Sequence, residues 1–394
     1  MFENFLFYFF LLNTAYVFIL SLAGFFYRSL PAGKSTKVNR IAVLVPCYKE
    51  DNVILSTTQN LLKLTYPRES FDIIVIADSL KAETLSHLAQ TDAITIPVSF
   101  EKSTKSKSLN YAMAHLPKTY DIAVVLDADN IPVPNFLEDI NNLYNQGYTI
   151  IQCQRVAKNT STPMALLDAI SEAINNHLFR QGSNALGLSS ALIGSGMAFP
   201  FRLLQQELSA IDSSVEDKAL QIALVEKGYT IYYRKGTFVF DEKVDSPEAY
   251  KNQRRRWIAG QYQMLKSHFL KGVALLFKGN INYFNIAVLH NFFPSRINSL
   301  ILLFTFSAFF SVIFYPDLQP VMKWWSITAV YVGALLIAIP RVYYSKKLVQ
   351  AIFILPAVIV KTIQAIFQTK NANKTFIHTE HKSTEIDSTY LPKQ

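Results

Sequence analysis

Between residues 5 and 27 the chain reads FLFYFFLLNTAYVFILSLAGFFY, without a single charge. As a helix this run is about as long as a bilayer's hydrocarbon core is thick. A chain that carries it must place it in lipid or bury it in a large core. A secretory signal peptide is the competing reading, but the apolar run is too long and no charged segment precedes it. The basic residues Arg28, Lys34, Lys37 and Arg40 come after it instead. Basic flanks stay on the cytosolic side, so the expected topology is N-terminus outside and the following domain inside.

Half of the residues are hydrophobic, yet 38 are Lys or Arg and 29 are Asp or Glu. The apolar residues are therefore gathered in blocks. A formal net charge of +9 fits either nucleic acid or an anionic membrane surface. Much of the excess lies beside apolar segments, as again at Arg341, Lys346 and Lys347, which favours membrane lipid and argues against a nucleic-acid partner. Cys47 and Cys153 are the only cysteines. Two cysteines make neither a disulfide scaffold nor a metal-ligand pattern, so a reducing compartment is expected.

The segment 38–245 has the composition of a soluble domain. IAVLVP (41–46), FDIIVIAD (71–78), AITIPVSF (93–100) and DIAVVLDAD (121–129) are short, apolar and rich in β-branched residues. They predict buried strands of a mostly parallel α/β sheet with helices between them. Ligands in such sheets sit beyond the carboxyl ends of the strands. Residues 246–296 mix Lys and Arg with Trp257, Tyr262, Phe269 and Phe277 and predict interfacial amphipathic helices. Within 297–340 two further spans are expected, 297–315 and 324–340. Pro316 and Pro320 would form the turn between them, and Trp324 and Trp325 would sit at the interface. In 341–394, the run 348–368 contains Pro356 and Lys361 and reads as a fourth span or an interfacial helix, and a polar tail follows. Residues 1–28 complete the division as an N-terminal membrane helix.

The chemistry-bearing residues cluster at the predicted strand ends. Asp127-Ala128-Asp129 closes the fourth strand, where two carboxylates can face a hard divalent cation that neutralises a diphosphate; a solvated acidic turn is the plain alternative. Asp78 ends the second strand and suits a nucleobase or ribose, or simply a turn. Tyr48 and Glu50 follow the first strand. Lys105 opens a helix in KSKSLN, where backbone amides and an ammonium attract phosphate or, failing that, solvent. Gly194-Ser195-Gly196 permits close backbone approach. In SSVED, Ser213 and Glu216 have capping-box spacing, which gives Glu216 a structural role and leaves Asp217 as a base. Gln253, Arg256 and Trp257 share one helical face at i, i+3, i+4, where an acceptor sugar or diphosphate can be gripped; an anionic-lipid patch is the alternative.

Taken in order, these motifs resemble the processive-type inverting glycosyltransferases of family two, which include bacterial cellulose, hyaluronan and poly-N-acetylglucosamine synthases. The resemblance runs from about residue 41 to residue 260. It implies a GT-A type nucleotide-sugar-binding domain. Tyr48, Glu50 and Asp78 would hold uridine, Lys105 the donor, and Asp127 and Asp129 a Mg²⁺ or Mn²⁺ with the diphosphate. Asp217 would be the general base, and Gln253, Arg256 and Trp257 would border the acceptor. Phe376-Ile377-His378-Thr379-Glu380-His381 looks like the family's gating loop, with Phe376, Thr379 and His381 at its key positions. A cytosolic gating loop would make 348–368 interfacial.

The function expected from the resemblance is transfer from a UDP-sugar, UDP-N-acetylglucosamine being favoured, to a growing glycan. The enzyme would sit in the inner membrane, with secretion proteins as candidate partners. Three spans are few for a polymer pore, which keeps open a non-processive transfer of one sugar to a lipid-linked acceptor. A transporter or channel subunit with a cytosolic regulatory domain is the rival from another class. It is disfavoured by the lack of a charged intramembrane pathway.

Overall fold

The structure is a computed structural model that describes residues 1–31, 33–211, 215–353, 360, 364 and 381–387. The chain divides into two compact units. One comprises Met1–Arg28, Ile170–Leu188 and Asp245–Ala372, and the other Ser29–Ala169, Ser189–Val244 and Asn373–Gln394.

The second unit is built on one eight-stranded sheet. Its strands are β1 (Ile41–Tyr48), β2 (Phe71–Asp78), β3 (Ile94–Val98), β4 (Ile122–Val125), β5 (Ile131–Pro132), β6 (Ile150–Ala157), β7 (Met197–Pro200) and β8 (Ile231–Asp241). They lie in the order β3-β2-β1-β4-β7-β6-β8-β5. The four expected strands form the parallel half; β1, β2 and β4 are buried on both faces because helices cover the sheet, whereas the edge strand β3 is only half-buried. β7 runs antiparallel to β4 and β6, and β5 antiparallel to β8, while β6 and β8 are parallel. The sheet is thus mixed but mostly parallel, a GT-A-like α/β fold. Val43, Val45, Ile73, Val75, Val124, Phe136 and Ile140 anchor its core.

Parallel register fixes the site's location. Tyr48 pairs with Asp78 and Leu44 with Val125, so β1, β2 and β4 end at one edge. β4 stops two residues before Asp127. Because β7 is antiparallel to β4, Met197 at its start lies opposite Val125 at the end of β4. That pairing carries Gly194-Ser195-Gly196 to the same edge.

The first unit contains three helices long and apolar enough to cross a membrane: Phe2–Phe26, Arg296–Phe314 and Leu318–Ala338. They pack through Phe10, Val17, Leu20, Leu303, Phe310, Trp324 and Tyr331. Side-chain hydrogen bonds join them, Asn13 to Ser299 at 2.8 Å and Ser307 to Thr328 at 2.8 Å. Polar pairs and small residues are what let such helices associate in a lipid-like environment. A Cβ on Gly182 would lie 2.2 Å from the carbonyl oxygen of Leu20, so only glycine fits there.

The structure adds detail to three expectations in this unit and corrects that for Pro320. Trp324 is fully buried among the helices: it stacks on Phe310 with centroids 5.0 Å apart and donates its indole N–H to Glu3 at 2.8 Å. Trp325, by contrast, is exposed. Pro320 lies inside the first turn of Leu318–Ala338, which leaves Pro316 in the connection. The basic segment 246–296 contains the 31-residue helix Pro247–Phe277 and a second helical run over Ile281–Phe292. Most of 348–368 lies outside the described residues, as do Phe376 and Thr379.

Candidate active site at the strand ends

Asp78 occupies the last position of β2 and is buried. One carboxylate oxygen accepts from Ser79 Oγ at 2.9 Å; the other, Oδ2, is buried without a hydrogen-bond partner. A buried carboxylate oxygen left open is costly unless something else donates to it. The neighbouring turns are strained: Lys49 and Ser79 both have positive φ, 56° and 60°. Lys49 Nζ lies 5.1 Å from the ring centre of Tyr48, which remains half-buried.

Glu50 is buried and bonded to His381, whose Nδ1 lies 2.7 Å from Oε1. Burial pulls the imidazole pKa down, but the bond to Glu50 and the nearby Asp129 and Glu242 outweigh it and raise it to about 9. His381 begins a docked segment. The backbone N–H groups of Lys382 and Ser383 donate to Glu242 Oε2 at 2.9 and 2.7 Å. Thr160 Oγ1 donates to Asp387 at 2.8 Å, and Ile386 packs against the domain core. The tail, polar by composition, thus has a foothold in the core that its sequence did not announce.

The two aspartates after β4 differ in surroundings. Asp127 is 35 % exposed and forms an ion pair with Lys105. Burial would raise its pKa, but Lys105, helped by Arg155 and His381, holds the carboxyl below its ordinary value. Asp129 is buried: Oδ2 accepts from the N–H of Glu242 at 2.7 Å and Oδ1 from Asn130 at 3.2 Å. Fully buried Lys158 donates to the Asp129 carbonyl at 2.8 Å. Lys158 and Glu242 were not legible as site residues, because each lies outside any motif and is brought in by the pairing of β6 with β8; Asn130 directly follows the Asp-Ala-Asp run but carries no recognisable signal of its own. No group of three or more His, Cys, Asp or Glu gathers as a metal site among the described residues.

Lys105 opens the helix Lys105–His115, whose N-cap Thr104 accepts from the N–H of Lys107 at 3.3 Å. The anion paired with this lysine is Asp127. Its ammonium also donates to the carbonyl of Gly194 at 2.6 Å. Burial lowers the Lys105 pKa, but Asp127, Glu216 and Asp217 overcome it and the net shift is upward. Gly194 and Gly196 have positive φ, 81° and 64°. The serine between them bonds to Asn130, which in turn accepts from the N–H of Asp127 at 3.0 Å. The Gly-Ser-Gly turn is therefore part of the aspartate loop's support.

Glu216 and Asp217 begin the helix Glu216–Glu226. The capping-box expectation is corrected here. Val215 is the N-cap and provides no side-chain cap, so Glu216 stands at the first helical position rather than the third. Ser213 and Ser214 lie outside the described residues. Glu216 instead reaches toward the charged cluster. Burial, then Asp217, raise its pKa to about 7, with Lys105 opposing. Asp217 Oδ1 accepts from the N–H of Lys218 at 2.8 Å, and its Oδ2 lies 3.5 Å from where a Cβ on Gly194 would stand.

Gln253, Arg256 and Trp257 lie on the helix Pro247–Phe277 in the other unit, so their expected common face is real. Arg254 covers the Trp257 ring, 4.5 Å from its centre.

Residues 39–260 match the family described as glycosyltransferase like family 2. The probable glycosyltransferase YdaM of Bacillus subtilis (strain 168) is 26% identical over 259 residues, which is 61% of this chain and 60% of that protein. The probable glucomannan 4-beta-mannosyltransferase 14 of Arabidopsis thaliana is 24% identical over 333 residues, 77% of this chain and 60% of the relative. The chain thus spans 60% of the length of the curated relatives it matches. Among solved structures, the mannosyltransferase PcManGT from Pyrobaculum calidifontis in complex with GDP-Man and Mn2+ superposes with a TM-score of 0.50 at 18% identity, covering 84% of this chain and 98% of that one. That likeness extends to the fold, while the family match covers more than half of the sequence: the chain belongs to glycosyltransferase family 2.

Proposed function

We propose that this chain is a membrane-bound inverting glycosyltransferase that moves one sugar at a time from a nucleoside diphosphate-sugar to a glycan or lipid-linked acceptor. The observation that carries the reading is the convergence of Asp78, Lys105, Asp127, Glu216 and Asp217 on one edge of a family 2 sheet. The three apolar helices support membrane placement, with the domain of 38–245 on the cytosolic side.

Asp78 Oδ2 offers an open acceptor for the N–H or O–H groups of a base or ribose, beside Tyr48 as a stacking surface and Glu50. Lys105 can exchange its bond to Asp127 for donor phosphate oxygens. Asp217 takes the proton from an acceptor hydroxyl. The freed oxygen bonds to the anomeric carbon as the bond from that carbon to the diphosphate breaks, with inversion. Gln253, Arg256 and Trp257 hold the acceptor or diphosphate.

A Mg²⁺ or Mn²⁺ fits this site at Asp127, a hard oxygen donor with partial exposure; the oxygens of Asp129 are already engaged, so it chiefly holds the loop. When bound, the cation supplies Lewis-acid stabilisation of the leaving diphosphate.

The donor class is left wider than UDP-N-acetylglucosamine, since matched relatives and folds include mannosyltransferases and one bound to GDP-Man. Transfer of a single sugar to a lipid-linked acceptor, without processive secretion, is favoured by the presence of only three span-length helices among the described residues. The test is a radiolabelled screen of UDP-N-acetylglucosamine, UDP-glucose and GDP-mannose in membranes containing the chain, with products sized on a gel. A ladder supports polymerisation and a single lipid-soluble product supports single transfer. No incorporation from any donor contradicts both.

A further inference from the structure

The parallel strands β6 and β8 end in register, with Ala157 opposite Asp241. The next residues, Lys158 and Glu242, therefore leave the sheet side by side, and the N–H of Lys158 donates to the Asp241 carbonyl at 2.7 Å. Each of the two is anchored twice. Lys158 donates its ammonium to the Asp129 carbonyl at 2.8 Å, while its own carbonyl accepts the N–H of Asp387 at 2.8 Å. Glu242 donates its backbone N–H to Asp129 Oδ2 at 2.7 Å, while its side-chain Oε2 accepts the N–H groups of Lys382 and Ser383 at 2.9 and 2.7 Å. One group of each residue thus holds the aspartate loop, and another holds the segment 381–387.

Lys158 is only 1 % exposed, and burying an ammonium is costly unless its bonds are made. An apolar side chain of like length avoids that cost, so what the lysine adds is placement. It fixes the Asp129 carbonyl, and with it the turn in which the N–H of Asn130 donates to the Asp127 carbonyl at 3.0 Å. The segment has further holds that do not touch this turn. Thr160 Oγ1 donates to Asp387 at 2.8 Å, Ile386 packs on the core, and His381 bonds to Glu50.

We propose that Lys158 and Glu242 are positioning residues that couple docking of the segment 381–387 to the geometry of the Asp127–Asn130 turn. Release of the segment slackens the turn, and a ligand that orders the turn tightens the segment, because such coupling is reciprocal. The ligand is a nucleoside diphosphate, so this last step rests on the donor-site reading above, whereas the coupling itself does not. All of the residues involved belong to the second unit.

Hydrogen exchange of the full chain in neutral detergent reads both ends. The amides of Asp127, Asn130 and Glu242 report the turn and those of Lys382, Ser383 and Asp387 the segment, since each is hydrogen-bonded. Thr160→Val and Ile386→Ser disturb the segment without touching Asp129. Thr160→Val should speed exchange of the segment roughly tenfold, the scale of one lost hydrogen bond to a charged group, and exchange of the turn should rise with it. Ile386→Ser should act in the same direction. Lys158→Met cuts the link: both ends should exchange faster, and adding Thr160→Val should then move the turn much less. If Lys158→Met does not fold, the two segment variants decide alone. Lys118→Gln, at an ion pair with Asp72, should change neither end. UDP or GDP with Mn²⁺ should slow exchange of the segment in wild type, and less so in Lys158→Met. A segment set free while the turn keeps its protection overturns the proposal, as does a segment that neither Thr160→Val nor Ile386→Ser loosens. Nucleotide that fails to bind while the two ends still move together counts against the donor-site reading and upholds the coupling.

Discussion

The ammonium of Lys105 bridges the carboxylate of Asp127 and the carbonyl of Gly194, so one side chain ties the loop after β4 to the loop before β7. Asp127 should lose its depressed pKa when this lysine is removed. Lys105→Met is expected to lower sugar transfer by about 10²–10³-fold, the scale of one lost transition-state donor. Because the two residues share one interaction, Lys105→Met/Asp127→Asn should be clearly less than additive in transfer rate. Additive losses would mean that the pair does not act as a unit.

Asp217→Asn keeps size and shape and removes the basic lone pair. Transfer should fall by about 10²–10⁴-fold while donor affinity holds. Glu216→Gln should retain more activity, since it mimics the neutral form of a carboxyl already raised to about 7. Separate titration of donor binding and single-turnover transfer distinguishes the two variants. Near wild-type transfer by Asp217→Asn would remove it as the base.

The raised pKa of Glu216 also has a stability consequence. Its folded value, about 7, exceeds the ordinary 4.5, so the native state holds the proton more tightly than the unfolded chain. This group's contribution is fully present below pH 4.5 and is lost as pH rises through about 7. Glu216→Gln should flatten that part of the profile of thermal midpoint against pH. An unchanged slope would show that Glu216 is ionised normally in the folded protein.

For His381 the sign is the same and the window differs. Its pKa is raised from 6.5 to about 9, so its bond to Glu50 is fully favoured below pH 6.5 and is lost as pH rises through about 9. Hydrogen exchange of residues 381–387 should accelerate over that interval. His381→Gln should make the segment exchange quickly at every pH tested. Protection that is independent of pH and of this substitution would contradict the docking contact.

The parallel half of the sheet was readable because β1, β2 and β4 are continuous apolar runs, as strands buried on both faces must be. The other half was not. β6 reads IIQCQRVA and β7 is only four residues long, and both form by long-range pairing rather than by pattern. The same reason hides Lys158 and Glu242 beside Asp129. His381 and Glu50 are 331 positions apart, and no local signal links them. An aromatic at the head of an apolar run does not announce that Trp324 is buried; Glu3, reached only through packing of two helices, gives its N–H a partner. The Ser213–Glu216 spacing was persuasive but local, and tertiary contacts around Glu216 set the helix start elsewhere.

Gly182 tests the packing of the apolar unit. Its Cα abuts the carbonyl of Leu20, leaving no room for a methyl group. Gly182→Ala should destabilise the protein by about 1–3 kcal/mol, the usual cost of overpacking. The measurement is the detergent-solubilised thermal midpoint, and an unchanged value would mean that the two backbones separate freely.

Release of nucleoside diphosphate by the purified full chain tests the central claim most directly. Wild type, given UDP-N-acetylglucosamine, UDP-glucose or GDP-mannose with Mg²⁺ or Mn²⁺ and membrane acceptor, should liberate the diphosphate from at least one donor. Asp78→Asn should weaken donor binding, and Asp217→Asn should stop acceptor-dependent release without weakening it. Turnover that is absent with every donor, or equal in wild type and both variants, would contradict the account.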